Sequence, residues 1–403
     1  MRIAFVSARV PYPLNTGGRI RTFHLLRAAA AVHDVTLVTA VESVSEAAHL
    51  RALRDALPAL HVEAVRVLPR HARGALVSRA AMAPFDPLPF AWAGFRDPRF
   101  VRNVWRVLAR TPVDLVHCDH VQVAHALPSA GPPRVVNAHN VENVVVRRLA
   151  DNERRPWRRA LLGWEARKTE GSERATYATV DHCLAVSATD AAKIEALVPG
   201  LRVTVVPNGV DVKAFAVPDT APDRNLVVFV GSMDWSPNVE GVMWFARQVV
   251  PAIRRMRPTT SFLVVGRRPA RRLIRALRQA DVRCTGTVDD VRPFIERAAV
   301  VVVPLLSGSG TRLKILEAWA MGKAVVSTRV GAEGLPAEHA VNALLIDGAF
   351  AFAHAVTQLL DDEQTAVRLG ANGRKTVEES FSWERVAESL LAAYTDTVNG
   401  RRL

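Results

Sequence analysis

Residues 307–320, SGSGTRLKILEAWA, combine types that suit the binding of a phosphorylated ligand. They follow a run of valines that reads as a buried strand, and they open into an amphipathic helix. Gly308 and Gly310 let backbone amides approach a ligand closely, and the start of a helix favours an anion. Thr311 is the expected N-cap, and Arg312 and Lys314 bring two full positive charges to the first turn. Cations there oppose the helix dipole, a cost that a bound diphosphate would offset. Glu317 follows one to two turns on, placed to accept hydrogen bonds from hydroxyls. Without a ligand the same segment reads as a glycine turn followed by solvated charges.

A second glycine pair, Gly17-Gly18, closes the loop after the first strand and is followed by Arg19 and Arg21. It reads either as a backbone cradle for phosphate or sugar or as a plain turn. Two familiar phosphate motifs fail. Gly322-Lys323-Ala324 lacks both the spacing and the hydroxyl of a Walker loop. Gly308-Ser309-Gly310 lacks the third glycine of a dinucleotide fingerprint and sits late in the chain.

The elements that must hold these residues alternate strand and helix almost from end to end. Apolar runs at 2–7, 35–39, 61–67, 114–118, 134–138, 182–186 and 203–206 are separated by stretches of helical period, the pattern of parallel sheets with helices on both faces. Pro207-Asn208-Gly209, Pro218 and Pro222 interrupt the pattern, which restarts at Leu226 with a strand and a single helix expected over 239–256. The expected organisation is an N-terminal domain over 1–207, a linker over 208–225, a second α/β domain over 226–381, and a terminal helix over 382–403 placed to pack back on the first domain. At 403 residues, 49% hydrophobic and 23% charged, the chain has material for two cores. Its three cysteines are far apart, which excludes a disulfide scaffold or zinc spacing, and no apolar run has the length of a membrane span.

Taken together, the glycine loop after strand one, VVPNGVD (205–211), VVFVGSMDWSPNVEGVMWF (227–245), GTVDDVRPFIERAAV (286–300), residues 307–320 and FSWERV (381–386) resemble the retaining glycosyltransferases of family 4, or group 1. The resemblance implies a GT-B fold: two Rossmann-like, doubly wound parallel-sheet domains facing across a cleft. It implies a nucleotide-sugar held mainly by the second domain, and no metal ion or other cofactor. Carried over by position, Glu317 matches the glutamate that binds the nucleotide ribose, and Gly308, Ser309, Gly310 and Thr311 match the cradle around sugar and phosphates. Gly286 and Val288 fall in the base-binding loop, Gly231 in the loop after the first strand of the second domain, and Gly17 and Gly18 in the loop that approaches the donor phosphate. His139, in VNAHNVE (136–142), matches the histidine that orients the donor sugar.

The chain departs from the family pattern twice. Ser309 stands where the first of two spaced glutamates is usual, and the loop 231–235 lacks the usual arginine and lysine. Arg312 and Lys314 are therefore expected to neutralise the departing diphosphate and, with His139, to form the catalytic set. The net charge of +14 comes from six lysines and forty-seven arginines against 39 acids. Nine of the arginines lie within 64–110 against Asp86 and Asp97, interleaved with aromatic residues in a segment (84–95) lacking strand or helix period. Arg66, Arg70, Arg73, Phe85, Phe90, Trp92 and Phe95, with Arg154, Arg155 and Trp157, are the expected face for an anionic, lipid-linked acceptor or a membrane surface. A basic, solvated surface over a protein core is the plainer reading. No nucleic-acid module is evident. The expected setting is cell-surface polysaccharide assembly in the cytoplasm, with attachment to the inner face of the plasma membrane as the option the basic surface opens. A small soluble acceptor is the alternative, as is a basic nucleic-acid- or lipid-binding protein with a degenerate donor site.

Overall fold

The structure, a computed structural model, describes residues 1–70, 72–83, 85–128, 130–308 and 312–400, and of Arg73 only the backbone. The chain divides into two compact units: Met1–Pro207 with Val386–Leu403, and Asn208–Arg385.

In the first unit the apolar runs form β1 (Arg2–Ser7), β2 (Asp34–Val41), β3 (His61–Arg66), β4 (Leu115–Asp119), β5 (Arg134–Ala138), β6 (His182–Ala185) and β7 (Arg202–Val205). Among the described residues they make one parallel sheet in the order β3-β2-β1-β4-β5-β6-β7. β4 and β5 are buried along their whole length. Strands covered by helices on both faces read as continuous rather than alternating apolar sequence, as LVHC and RVVNA do. The chain steps outward from β1 through β2 to β3, then returns to lay β4 on the other side of β1. At such a reversal the loops leaving the carboxyl ends diverge and leave a crevice. The register sets Ser7 opposite Asp119 and Asp119 opposite Asn137, so three polar side chains form a row at that edge.

The last helix, Trp383–Gly400, begins in the second unit and joins the first from Val386 onward. It is bonded to the first sheet by two buried polar pairs. Tyr394 and His117 share a hydrogen bond of 2.7 Å, as do Thr397 and His182. The His117 ring also stacks on Phe5 at 4.1 Å.

In the second unit β8 (Asp223–Val230), β9 (Ser261–Val265), β10 (Arg283–Cys284), β11 (Ala298–Val303), β12 (Ala324–Ser327) and β13 (Leu344–Leu345) form a parallel sheet in the order β10-β9-β8-β11-β12-β13. Its reversal lies between β8 and β11. The helix expected over 239–256 is observed as Ser236–Trp244, a π-helical turn Phe245–Val249, and Val250–Met256. Pro251 explains the interruption: it has no N–H to donate and its ring crowds the preceding turn, so the backbone widens before it.

The stretch expected as a linker, 208–225, belongs to the second unit, and β8 already begins at Asp223. The Val210 N–H donates to the Phe381 carbonyl at 2.8 Å. A β-carbon on Gly209 would lie 2.7 Å from the Trp383 ring, so only glycine fits there. Segment 84–95, expected without helical period, contains a one-turn helix at Phe90–Ala93. No helix among the described residues is long and apolar enough to cross a membrane.

Candidate functional site

At the carboxyl ends of β1, β4 and β5 the first unit assembles a polar cluster around one carboxylate. Asp119 is fully buried. Its Oδ2 accepts from Ser7 Oγ at 3.2 Å, Thr22 Oγ1 at 2.7 Å and His120 Nδ1 at 3.1 Å. Its Oδ1 accepts from Asn137 Nδ2 at 2.8 Å and His139 Nε2 at 2.9 Å. Burial alone would raise the Asp119 carboxyl, but the charges and hydrogen bonds of His120 and His139 outweigh it and hold the group well below the usual range. Arg21, in the helix Gly17–Ala30, is itself buried and donates to Asn137 Oδ1 through Nε at 3.1 Å and Nη2 at 2.8 Å. That fork turns the amide so that its nitrogen faces Asp119. A third bond runs from Arg21 Nη1 to the Pro207 carbonyl at 2.8 Å. Burial lowers Arg21 to about 10, which leaves it a cation at neutral pH.

An ionised carboxylate only accepts, so the ring nitrogens facing Asp119 carry the protons: Nε2 of His139 and Nδ1 of His120. Burial first, then the neighbouring His120, brings His139 down to about 4, so the ring is neutral at pH 7. The two imidazoles stack face to face, 3.7 Å apart and 11° from parallel. A β-carbon on Gly18 would lie 3.8 Å from His139 Nδ1 and 3.9 Å from His120 Nε2, so Gly18 packs close to both rings. The turn after His139 is fixed from behind by Glu173. Its Oε1 accepts the Glu142 N–H at 2.7 Å, and its Oε2 accepts from Asn143 N at 3.0 Å and Asn143 Nδ2 at 2.6 Å. This caps the helix Glu142–Asn152, while burial raises Glu173 to about 7. Asp119, His120 and His139 also have ligand atoms within 4.8 Å of one another, the compactness a divalent cation requires.

In the second unit Lys314, on the helix Leu313–Ala320, reaches the carboxyl end of β8. Its Nζ donates to Asn238 Oδ1 at 2.8 Å, lies 4.0 Å from the centre of the Phe229 ring, and sits 2.7 Å from where a β-carbon of Gly231 would be. Burial, with the like charge of Arg312, lowers Lys314 well below its ordinary value against the pull of Glu317. Burial raises Glu317 to about 7 against the opposing charge of Lys314. Arg312 occupies the N-cap position of the same helix, is mostly buried, and folds back to 2.8 Å from where a β-carbon of Gly308 would be. Gly308 itself has φ +111°, a conformation suited to glycine. Arg312 and Lys314 thus stand two residues apart in sequence at the start of one helix.

Ser309, Gly310 and Thr311 lie outside the described residues, so the expected cap and most of the expected cradle are not placed. Gly286 adopts φ +78° with open space on its Cβ side, and Val288 packs partly buried on the second core. Of the expected acceptor face, Trp92 is a correction: it is 4% exposed and packs with Val67, Phe100 and Val104 in the first core. Its helix Phe90–Ala93 turns the indole inward. Phe95 is half-buried, with the Arg70 and Arg9 guanidinium groups 4.3 and 5.5 Å from its ring centre. Arg70 is also ion-paired with Glu42. Phe90 is half-buried beneath Arg79, and the Arg73 side chain lies outside the description. Arg66, Phe85, Arg154, Arg155 and Trp157 are exposed. The sequence reading missed Asp119, His120 and Asn238, and placed no role on Arg21 or Asn137 beyond their motifs. Asp119-His120 directly follows the apolar LVHC, a strand-end position of the kind that marked His139.

A family model described as Glycosyltransferase Family 4 matches residues 15–214, and one described as Glycosyl transferases group 1 matches residues 224–362. An uncharacterized 44.6 kDa protein in the cps region of Klebsiella pneumoniae is 21% identical, over 96% of this chain and 98% of its own. Sucrose-phosphate synthase from Thermosynechococcus elongatus superimposes with a TM-score of 0.74 at 20% identity, over 99% of this chain and 100% of its own. Anabaena Alr3699/HepE, solved in complex with UDP and glucose, gives 0.67 at 14% identity, over 98% of this chain and 99% of its own. With both units matched and two doubly wound parallel sheets, the chain belongs to the group 1, family 4 glycosyltransferases of the GT-B fold.

Proposed function

We propose that this glycosyltransferase takes its sugar from a nucleotide-sugar and transfers it, with retention and without a metal ion, to a hydroxyl of a lipid-linked acceptor in cell-surface polysaccharide assembly. The donor half rests on one observation: Lys314 brings its ammonium to the carboxyl end of β8, beside Gly231, with Arg312 two residues before it. The family's usual cations are missing from the 231–235 loop, and Lys314 supplies charge to that place from a different element. In the reaction the bond from the anomeric carbon to the diphosphate breaks and a new bond forms from that carbon to the acceptor oxygen on the same face. The acceptor proton passes to the departing phosphate oxygen. The chain contributes orientation through His139 and charge neutralisation through Lys314 and Arg312.

The acceptor half is supported by exposed Phe85, Arg154, Arg155 and Trp157, and by the likeness to a protein from a cps region. A small soluble acceptor is the second reading. Pairing of Arg70 with Glu42, Arg96 with Asp86 and Arg106 with Glu63 favours it, since it neutralises part of the basic surface.

The test is a screen of UDP-, GDP- and ADP-sugars by hydrolysis and thermal shift, with and without EDTA. One nucleotide-sugar should be hydrolysed, equally well in EDTA, and Lys314→Ala should lower turnover by about 10²–10³-fold with the melting temperature unchanged. Stabilisation by NAD and by no nucleotide-sugar, or full activity in Lys314→Ala, would overturn the reading. The anomeric configuration of the product, read by NMR, decides retention.

A further inference from the structure

The helix Ser236–Trp244 meets the segment that carries Lys314 at three points, and the role of those meetings is not used above. Near the start of the helix, Asn238 Oδ1 accepts from Lys314 Nζ at 2.8 Å. Two residues on, Glu240 Oε2 accepts from Ser307 Oγ at 2.8 Å. Gly241 follows, so close to the exit of β11 that a β-carbon would come 2.5 Å from the Pro304 carbonyl oxygen. Read along the helix, the partners run backward through 314, 307 and 304, so the two stretches of chain lie against each other in opposite directions. One bond falls before Gly308 and one after Arg312. Asn238 and Ser307 are both buried, so water does not compete for these bonds.

The Asn238 amide has a donor end and an acceptor end, and both are committed. Its Nδ2 donates to the Ser232 carbonyl at 2.8 Å, which leaves Oδ1 for Lys314. Ser232 is fixed in turn. Arg267 Nε donates to its Oγ at 2.7 Å, while Arg267 Nη2 donates to Asp234 Oδ2 at 3.2 Å. A lysine carries its charge on a flexible four-carbon stem, with no direction of its own. Here the amide and the Phe229 ring, 4.0 Å from Nζ, set where the ammonium lies.

We propose that Asn238 and Glu240 are positioning residues of the transfer reaction. Asn238 aims the Lys314 ammonium, and Glu240 holds the Ser307 end of the same segment. The proposal rests on the reading of Lys314 as the partner of the diphosphate. A charge fixed in advance counts most where negative charge grows, which is on the departing diphosphate in the transition state. Loss of the tether should therefore lower kcat more than it weakens donor binding.

The experiment follows steady-state hydrolysis by the full chain of whichever of UDP-glucose, GDP-mannose and ADP-glucose the wild type accepts. Asn238→Ala should lower kcat about 10-fold or more, while KM for the donor changes less than about 3-fold. In a Lys314→Ala background the same change should cost nothing further, because Asn238 acts through the ammonium. Asn238→Asp matches the amide in size and serves if the alanine variant does not fold. It pairs the ammonium with a carboxylate, so kcat should fall here too with KM held. Glu240→Ala should lower kcat/KM about 3- to 10-fold, and Glu240→Gln, which keeps an acceptor for Ser307, should restore it. Wild-type kcat in the folded Asn238 variants, or losses that multiply in the double variant, would overturn the role of Asn238. Equal losses in Glu240→Ala and Glu240→Gln would overturn that of Glu240. Full activity in Lys314→Ala would instead overturn the reading of Lys314 beneath both. A wild type that hydrolyses none of the three donors would overturn the nucleotide-sugar reading and this proposal with it.

Discussion

Replacing Gly18 by alanine should separate folding from function. Gly18 is the second residue of the helix Gly17–Ala30. A methyl there would meet nothing closer than 3.8 Å, an ordinary van der Waals distance, so the backbone has no cause to move. Alanine is favoured over glycine in helix interiors by about 0.5–1 kcal/mol, and by less in a first turn. In a unit of this size each kcal/mol corresponds to roughly 2–4 °C, so the melting temperature should hold or rise by about 1–3 °C. Function should respond in the opposite direction. A sugar held by His139, as proposed, would have to share its surroundings with that methyl, 3.8 Å from Nδ1. Losing one or two neutral hydrogen bonds, at about 0.5–1.5 kcal/mol each, predicts a fall of about 3- to 150-fold in kcat/KM. Thermal melts and steady-state hydrolysis of the donor, run on the same preparation, check both signs. Unchanged turnover in a folded Gly18→Ala protein would show that no sugar is held beside Gly18. A drop in melting temperature would show that the packing around Gly18 is not as described.

Asp119→Asn keeps the volume but replaces a five-fold acceptor with a group that must also donate toward its donors, so one histidine must flip its tautomer. Turnover should fall by about 10² or more, while a native circular-dichroism spectrum shows that the fold survives. Acid should destabilise the first unit specifically. Burial brings His117 to about 3 and His182 to about 4, with His139 also about 4, all from an unfolded value of 6.5. Above pH 6.5 neither folded nor unfolded state binds these protons. As pH falls toward 4 only the unfolded state binds them, so stability drops by up to about 1.4 kcal/mol per pH unit per histidine. Glu173, raised to about 7, and Glu142, also raised by burial, act the other way, against these three histidines and His33 and His125, which burial lowers as well. Urea unfolding at pH 7 and 5 should show the loss, and His182→Gln should flatten it. Gly209→Ala would drive a β-carbon to 2.7 Å from the Trp383 ring and should destabilise the second unit by about 1–3 kcal/mol, measurable by denaturation. Arg154→Glu with Trp157→Ser should abolish salt-sensitive co-sedimentation with phosphatidylglycerol vesicles; persistence of binding would move the membrane face elsewhere.

The fold was legible because its determinants are local. Apolar runs such as VVVV in β11, set between helical stretches and bounded by glycine and proline, specify buried parallel strands before any long-range contact is considered. His139 and Lys314 were visible as candidates because each lies where an apolar run gives way to a helix and motif and chemistry coincide. Asp119 was not, because its role is created by register: Ser7, Asp119 and Asn137 are more than a hundred residues apart at the extremes and become neighbours only when β1, β4 and β5 align. His120 was hidden for a different reason. Nothing in its identity reports a positive φ, which is imposed by the strand end and the stacked ring. Trp92 misled because an aromatic among arginines and prolines looks like a surface anchor. Which face of a four-residue helix turns inward depends on the sheet it packs against, not on its own sequence.

The bonds from Tyr394 to His117 and from Thr397 to His182 mean that the first unit is assembled from two pieces of chain with the whole second unit inserted between them. During synthesis the ribosome delivers the entire insertion before it delivers the helix that completes the first sheet. The inserted unit is therefore free to fold first, while the older amino-terminal half waits with His117 and His182 each short of the partner that the last helix supplies. A chain halted at residue 385 would carry the whole second unit and a first unit lacking its last helix. The final turns of the last helix thus act as a completion signal, making the first unit dependent on the second having already been made.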